Sequence, residues 1–147
     1  MENGINALTD LQRIMNVFEL EEQDYRSFSA LTLAYIGDSV FELLIRTMII
    51  YQSKKAVNDL HKKTISFVKA ESQAAIVQGL LDNELLTEEE KAIYKRGRNS
   101  KPHTVAKNAS VADYRKATGF EALVGYLYVT GQMERILELT KAGMDYV

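Results

Sequence analysis

Two carboxylates stand where the surrounding sequence is apolar. Between Arg26 and Glu42 the only charged residue is Asp38, and between Lys116 and Glu134 it is Glu121. Both are expected in mostly buried helices. A lone buried carboxylate is costly, and its pKa rises unless a cation compensates it. Two such acids from distant segments are a natural pair to share one cation. The chain has no cysteine and two histidines, so the ligands on offer are mainly oxygens. Oxygen donors favour Mg²⁺, with Mn²⁺ as its substitute, over zinc. Magnesium held by few carboxylates keeps several waters, which can attack a phosphodiester. Each acid also has a plainer explanation. Asp38 could cap a helix starting at Ser39, and Glu121 could pair with a buried arginine. Glu42, one turn beyond Asp38, could face the same site or stay partly exposed on its helix. His61 and His103 lack metal-binding spacing, and neither a GxxxxGK[ST] phosphate loop nor a Gly-x-Ser-x-Gly elbow occurs.

The net charge of −2 argues mildly against a nucleic-acid partner, but its distribution does not. Residues 91–107 hold Lys91, Lys95, Arg96, Arg98, Lys101 and Lys107 with no acid. Residues 54–69 add Lys54, Lys55, Lys62, Lys63 and Lys69 against Asp59 alone. The acids gather near the N-terminus and over residues 82–90. Segregation of this kind can make a basic face on an acidic protein, although an ordinary solvated surface would read the same way.

These groups must be positioned by helices. With 147 residues, 46% hydrophobic and 26% charged, the chain is expected to form a single globular domain over 1–147. The absence of cysteine excludes disulfides and thiolate zinc sites and fits a reducing cytoplasm. The N-terminal segment lacks signal-peptide character, and no apolar run reaches membrane-spanning length. The segment Phe28–Tyr51 reads as a helix apolar on nearly every face, to be buried on more than one side. Gly37 inside it points to close packing. Ala56–Leu81 reads as one or two amphipathic helices with Leu60, Ile65, Phe67, Val68, Ala74, Ile76, Val77 and Leu80 inward. Thr87 before Glu88–Glu90 is an N-cap with an acidic first turn, opening a short helix that fades near Gly97. A loop with the only proline follows. Ser110 caps a helix to about Thr130, Gly131 ends it, and a last helix turns Met133, Ile136, Leu137 and Leu139 inward. The expectation is an all-α fold of six to seven helices.

Leu33-Ala34-Tyr35-Ile36-Gly37-Asp38-Ser39-Val40 resembles the signature helix of the ribonuclease III family. Phe120-Glu121-Ala122-Leu123-Val124-Gly125-Tyr126-Leu127-Tyr128 is similar to that family's second acidic helix. Order and separation also match, across roughly residues 25 to 145. The RGRNSK stretch, and an expected catalytic domain without a double-stranded-RNA-binding domain, look like the family's Mini-ribonuclease III branch.

The resemblance implies a helical endonuclease domain that cuts double-stranded RNA with Mg²⁺, leaving 5′-phosphate and 3′-hydroxyl ends. It also implies a cytoplasmic homodimer that matures precursor 23S ribosomal RNA, with a ribosomal protein as a possible partner. Asp38 and Glu121 fall on the family's two most needed metal-binding acids. Further family acids are missing: their places hold Leu31, Ala34 and Thr118. Tyr35 falls at an aromatic position of the dimer interface, with a plain core tyrosine as the alternative. The grip on RNA is expected from Arg96, Arg98, Asn99, Lys101 and His103, with Lys107 and Asn108 nearer the site. Competing readings are a catalytically silent RNA-binding or ribosome-assembly protein on the same fold, a structural helical dimer, and a small-nucleotide phosphohydrolase.

Overall fold

The computed structural model describes residues 8–54, 56–100 and 110–147. Its helices are α1 (Asp10–Val17), α2 (Ala30–Gln52), α3 (Val57–Val68), α4 (Ala70–Asp82), α5 (Glu88–Arg98), α6 (Val111–Val129) and α7 (Met133–Gly143). Short 3-10 turns occupy Tyr25–Ser27 and Met144–Tyr146, and no strand occurs among the described residues. The architecture is all-α, as the apolar periodicity predicts.

Small polar side chains fix the helix starts. Ser29 accepts the Thr32 amide at 3.0 Å and opens α2, and Ser110 accepts the Asp113 amide at 3.0 Å and opens α6. Thr87 and Glu90 form a reciprocal capping box at α5. Thr9 and Gln12 form another at α1, a helix the apolar pattern does not announce because none of its residues is buried. Gly131, at φ +74°, follows α6 in the left-handed conformation that glycine tolerates.

The segment 56–81 forms two helices, broken at Lys69, whose backbone is extended. Side chains from the start of α4 take over carbonyls at the end of α3. Ser72 donates to the Ser66 carbonyl, and Gln73 donates through Nε2 to the Val68 carbonyl at 2.8 Å.

Helix α6 is the centre of the fold and packs chiefly against α2, α5 and α4. Phe41 meets Phe120 edge-on with ring centroids 5.1 Å apart. Leu33, Ile45, Ile76, Leu80, Leu123 and Leu127 are buried around them. Gly37 and Gly125 set how closely α2 and α6 approach. A Cβ at Gly37 would overlap the Glu121 carbonyl oxygen, and one at Gly125 would overlap the Leu33 carbonyl oxygen. The two backbones therefore touch at two points, one at Glu121 itself and next to Asp38, the other one helical turn away along both helices.

Three side chains expected inside are exposed: Ile65, Met133 and Leu137. Each lies at the margin of its amphipathic stripe, and neighbours such as Thr64, Ile136 and Leu139 take the buried positions. The expected burial of α2 on several sides is also corrected. One face packs on α6, while Tyr35 (81% exposed), Leu43 (64%) and Ile50 (57%) are open to solvent. Among the described residues no helix is long and apolar enough to cross a membrane.

Candidate active site

Asp38 follows Gly37 on α2, and Glu121 is the α6 residue whose carbonyl Gly37 meets. The glycine contact therefore brings the two acids together from helices far apart in sequence. Asp38 lies inside α2, so it caps no helix. Its expected burial is also corrected: it is exposed, whereas Glu121 is partly buried. The reason is the α2 register, which turns Leu33, Gly37 and Phe41 inward and leaves Asp38 at the rim of the packed face. Glu121 has no arginine partner among the described ion pairs. Its neighbour is Gln73 on α4, whose Nε2 donates to Oε2 at 3.4 Å.

Burial, and then the charge of the neighbouring Asp38 carboxylate, push the Glu121 carboxyl up to about 8, against a smaller opposing effect of the Gln73 hydrogen bond. Two acids this close resist joint ionisation, and a shared cation would relieve that resistance. Among the described residues no group of three or more His, Asp or Glu side chains gathers to hold a metal. Thr118 spends its hydroxyl on the Tyr114 carbonyl at 3.0 Å, and Ala34 is a buried small residue. Glu42 reaches Arg46 at 3.6 Å. The donor set is thus two carboxylates of hard oxygen, which suits a cation that keeps most of its own water, as Mg²⁺ does.

A pH effect follows from Glu121. Its folded-state pKa is raised from the ordinary carboxylate value to about 8. The folded protein therefore binds more protons than the unfolded chain across that window, and stability falls as pH climbs through it. Melting temperatures in EDTA should decline from pH 5 to pH 9, and Glu121→Gln should flatten that slope. Added Mg²⁺ should stabilise the native chain more at pH 9 than at pH 5, because it replaces a proton. An equal Mg²⁺ effect at both pH values would sink this coupling.

The basic end of α5 lies against the same stretch of α6. A Cβ on Gly97 would crowd Ala122 and Gly119 at 2.8 Å, so the helices are in close contact beside Arg96 and Arg98. Arg96 is exposed. Arg98 sits over the Tyr94 ring at 5.7 Å and donates through Nε to the Asn99 side chain at 3.3 Å. Lys101, His103, Lys107 and Asn108 lie outside the described residues. Tyr35 is on the open face of α2, not in the core. Gln73 is the residue the motif reading overlooks. It sits three and four positions before the inward Ile76 and Val77, and a polar side chain on an apolar stripe was the available signal.

The family model described as Ribonuclease III domain matches residues 31–132. A Mini-ribonuclease 3 of Enterococcus faecalis is 49% identical over 117 residues, covering 80% of this chain and 89% of that protein. The Mini-ribonuclease 3 of a Thermoanaerobacter species is 52% identical over 128 residues, covering 87% and 89%. A crystal structure of a Fusobacterium nucleatum protein superposes with a TM-score of 0.74 at 33% identity, covering 81% of this chain and 95% of that one. The match takes in both acidic helices and the whole α2–α6 contact, so the chain belongs to the ribonuclease III family and is an endoribonuclease.

Proposed function

We propose that the protein cuts double-stranded RNA with Mg²⁺ (or Mn²⁺) held by Asp38 and Glu121, and that its substrate is precursor 23S ribosomal RNA. The observation that carries this reading is the meeting of Asp38 and Glu121 across the glycine contact, where burial and the Asp38 charge push the Glu121 carboxyl up to about 8. When bound, the cation supplies Lewis acidity toward the scissile phosphate and lowers the pKa of the attacking water. The chain's own part is to fix two oxygen donors on rigid helices and to hold the duplex beside them. Cleavage leaves 5′-phosphate and 3′-hydroxyl ends.

Arg96, Arg98 and Asn99, with Lys101, His103, Lys107 and Asn108, form the proposed grip on the RNA backbone. A-form RNA is read mainly by shape, through phosphates and 2′-hydroxyls. The open stripe of α2 with Tyr35, Leu43 and Ile50 supports a homodimer. Its helical spacing puts these side chains on one face, next to Asp38. Two-fold pairing would set one site near each strand of a duplex. The whole chain, 1–147, acts in this reading as one catalytic domain in the cytoplasm, with a ribosomal protein as a possible partner in presenting the substrate.

The test is cleavage of a long RNA duplex and of a precursor 23S transcript, with Mg²⁺ and with EDTA. Discrete 5′-phosphorylated fragments from both RNAs in Mg²⁺ alone support the proposal. Cleavage that persists in EDTA would overturn the metal assignment, and an intact ribosomal precursor would overturn the substrate. Arg96→Ala and Arg98→Ala should each weaken duplex binding without changing sequence preference. Each should reduce the slope of log affinity against log salt by about 1 if the arginine neutralises one phosphate. Unchanged slopes in binding titrations would remove these residues from the grip.

A further inference from the structure

Gln73 is buried at 2% exposure, and its amide is not free to turn. Nε2 donates to the Val68 carbonyl at 2.8 Å, which fixes which end of the amide carries the protons. The same nitrogen has its second proton for Glu121 Oε2 at 3.4 Å. Meanwhile Oε1 is buried without a hydrogen-bond partner. A leucine or methionine here would bury no unpaired amide oxygen, but it would leave the Val68 carbonyl without its donor. Burying an unsatisfied oxygen is unfavourable, so the amide is kept here for its two protons, one on the Val68 carbonyl and one toward Glu121.

From this geometry we propose that Gln73 is a positioning residue for the metal site: it holds one oxygen of Glu121 so that the other is presented beside Asp38. The proposal rests on the reading of Asp38 and Glu121 as metal ligands. The two-acid site makes such a device useful. A glutamate carries three side-chain torsions, and Thr118, turned back on Tyr114, gives no third acid to orient it. Hydrogen-bond donors behind a ligating carboxylate lock its rotamer and leave its remaining lone pairs for the cation. Val68 is part of the device, because its carbonyl points the amide protons toward Glu121. The end of α3 thus steers a side chain of α6 through α4.

The experiment is titration of the full-length protein with Mn²⁺ alone, followed by calorimetry and by the electron paramagnetic resonance of free Mn²⁺. Native protein, Gln73→Met and Gln73→Leu are compared at one pH, each with its melting temperature in EDTA. Both substitutions should weaken Mn²⁺ binding by about tenfold or more, the range typical for groups behind metal ligands. Melting temperatures should fall only modestly, since the Val68 carbonyl loses its donor while the stranded Oε1 is removed. The Mg²⁺ concentration for half-maximal duplex cleavage should rise in parallel, while the rate at saturating Mg²⁺ falls less. Native Mn²⁺ affinity in both variants would overturn the positioning role. So would a loss of affinity matched by a collapse in melting temperature in both, which would mark Gln73 as structural. If the native protein itself binds no Mn²⁺, the metal reading of Asp38 and Glu121 fails first, and that outcome is distinct from either.

Discussion

Asp38→Asn and Glu121→Gln should each lower the rate of duplex cleavage by about 10² to 10³-fold or more, the scale seen when one electrostatic contributor to a transition state is removed. The amides match the carboxylates in size but carry no charge. Asp38 is exposed on α2 and Glu121 is held by Gln73, so neither change disturbs the core. The signs should be opposite for activity and stability. Glu121→Gln removes an anion that burial and Asp38 disfavour. In EDTA above about pH 8 that variant should melt higher than the native protein while failing to cleave. Single-turnover rates and melting curves on the same samples check both halves. Native-like cleavage by either variant would end the assignment of that acid.

The second large effect concerns the glycines between the helices. Alanine in a helix interior is normally better than glycine by about 1 kcal/mol. At Gly37 and Gly125 that gain should be outweighed. The added methyl meets a backbone carbonyl oxygen, that of Glu121 in one case and Leu33 in the other. A carbonyl inside a helix cannot rotate away, so the helices must part, and overpacking of this kind costs about 3 kcal/mol. The net loss of about 2 kcal/mol should lower the melting temperature by about 4 to 8 °C in a chain of this length. Activity should suffer beyond stability. Displacing catalytic groups by about 1 Å can cost about 10²-fold, and Gly37→Ala pushes directly on the residue that carries the second acid. Thermal melts with cleavage rates taken well below the transition separate the two losses. A variant as stable and active as native would show that α2 and α6 do not need this contact.

The residues themselves explain what could be read before the structure. Helices α2, α5 and α6 carry their own start signals in Ser29, Thr87 and Ser110, and local hydrogen bonds of that kind are visible in sequence. Gly37 announced close packing because it is out of place in a helix by propensity. Which backbone it touches is set by tertiary geometry that spacing cannot give. Helix α1 carries no apolar signal because it buries nothing, and charge pattern alone does not fix the helical register that leaves Asp38 exposed. Asp38 and Glu121 stood out as lone charges in apolar text. Gln73 did not, because a glutamine among alanines carries no charge and matches no motif.

The contacts at Gly37 and Gly125 are made by main chain, and that gives the site an unusual kind of tolerance. Hydrophobic side chains elsewhere in the core can be exchanged for others of similar volume at modest cost. Such exchanges rearrange what fills the space between helices. At these two points the approach of α2 to α6 is set by main chain, which such exchanges leave unchanged. The separation of the two acids is therefore insulated from gradual drift in the interior. It depends on two positions that must remain bare, so the core can diverge widely while the spacing of the acids stays the same.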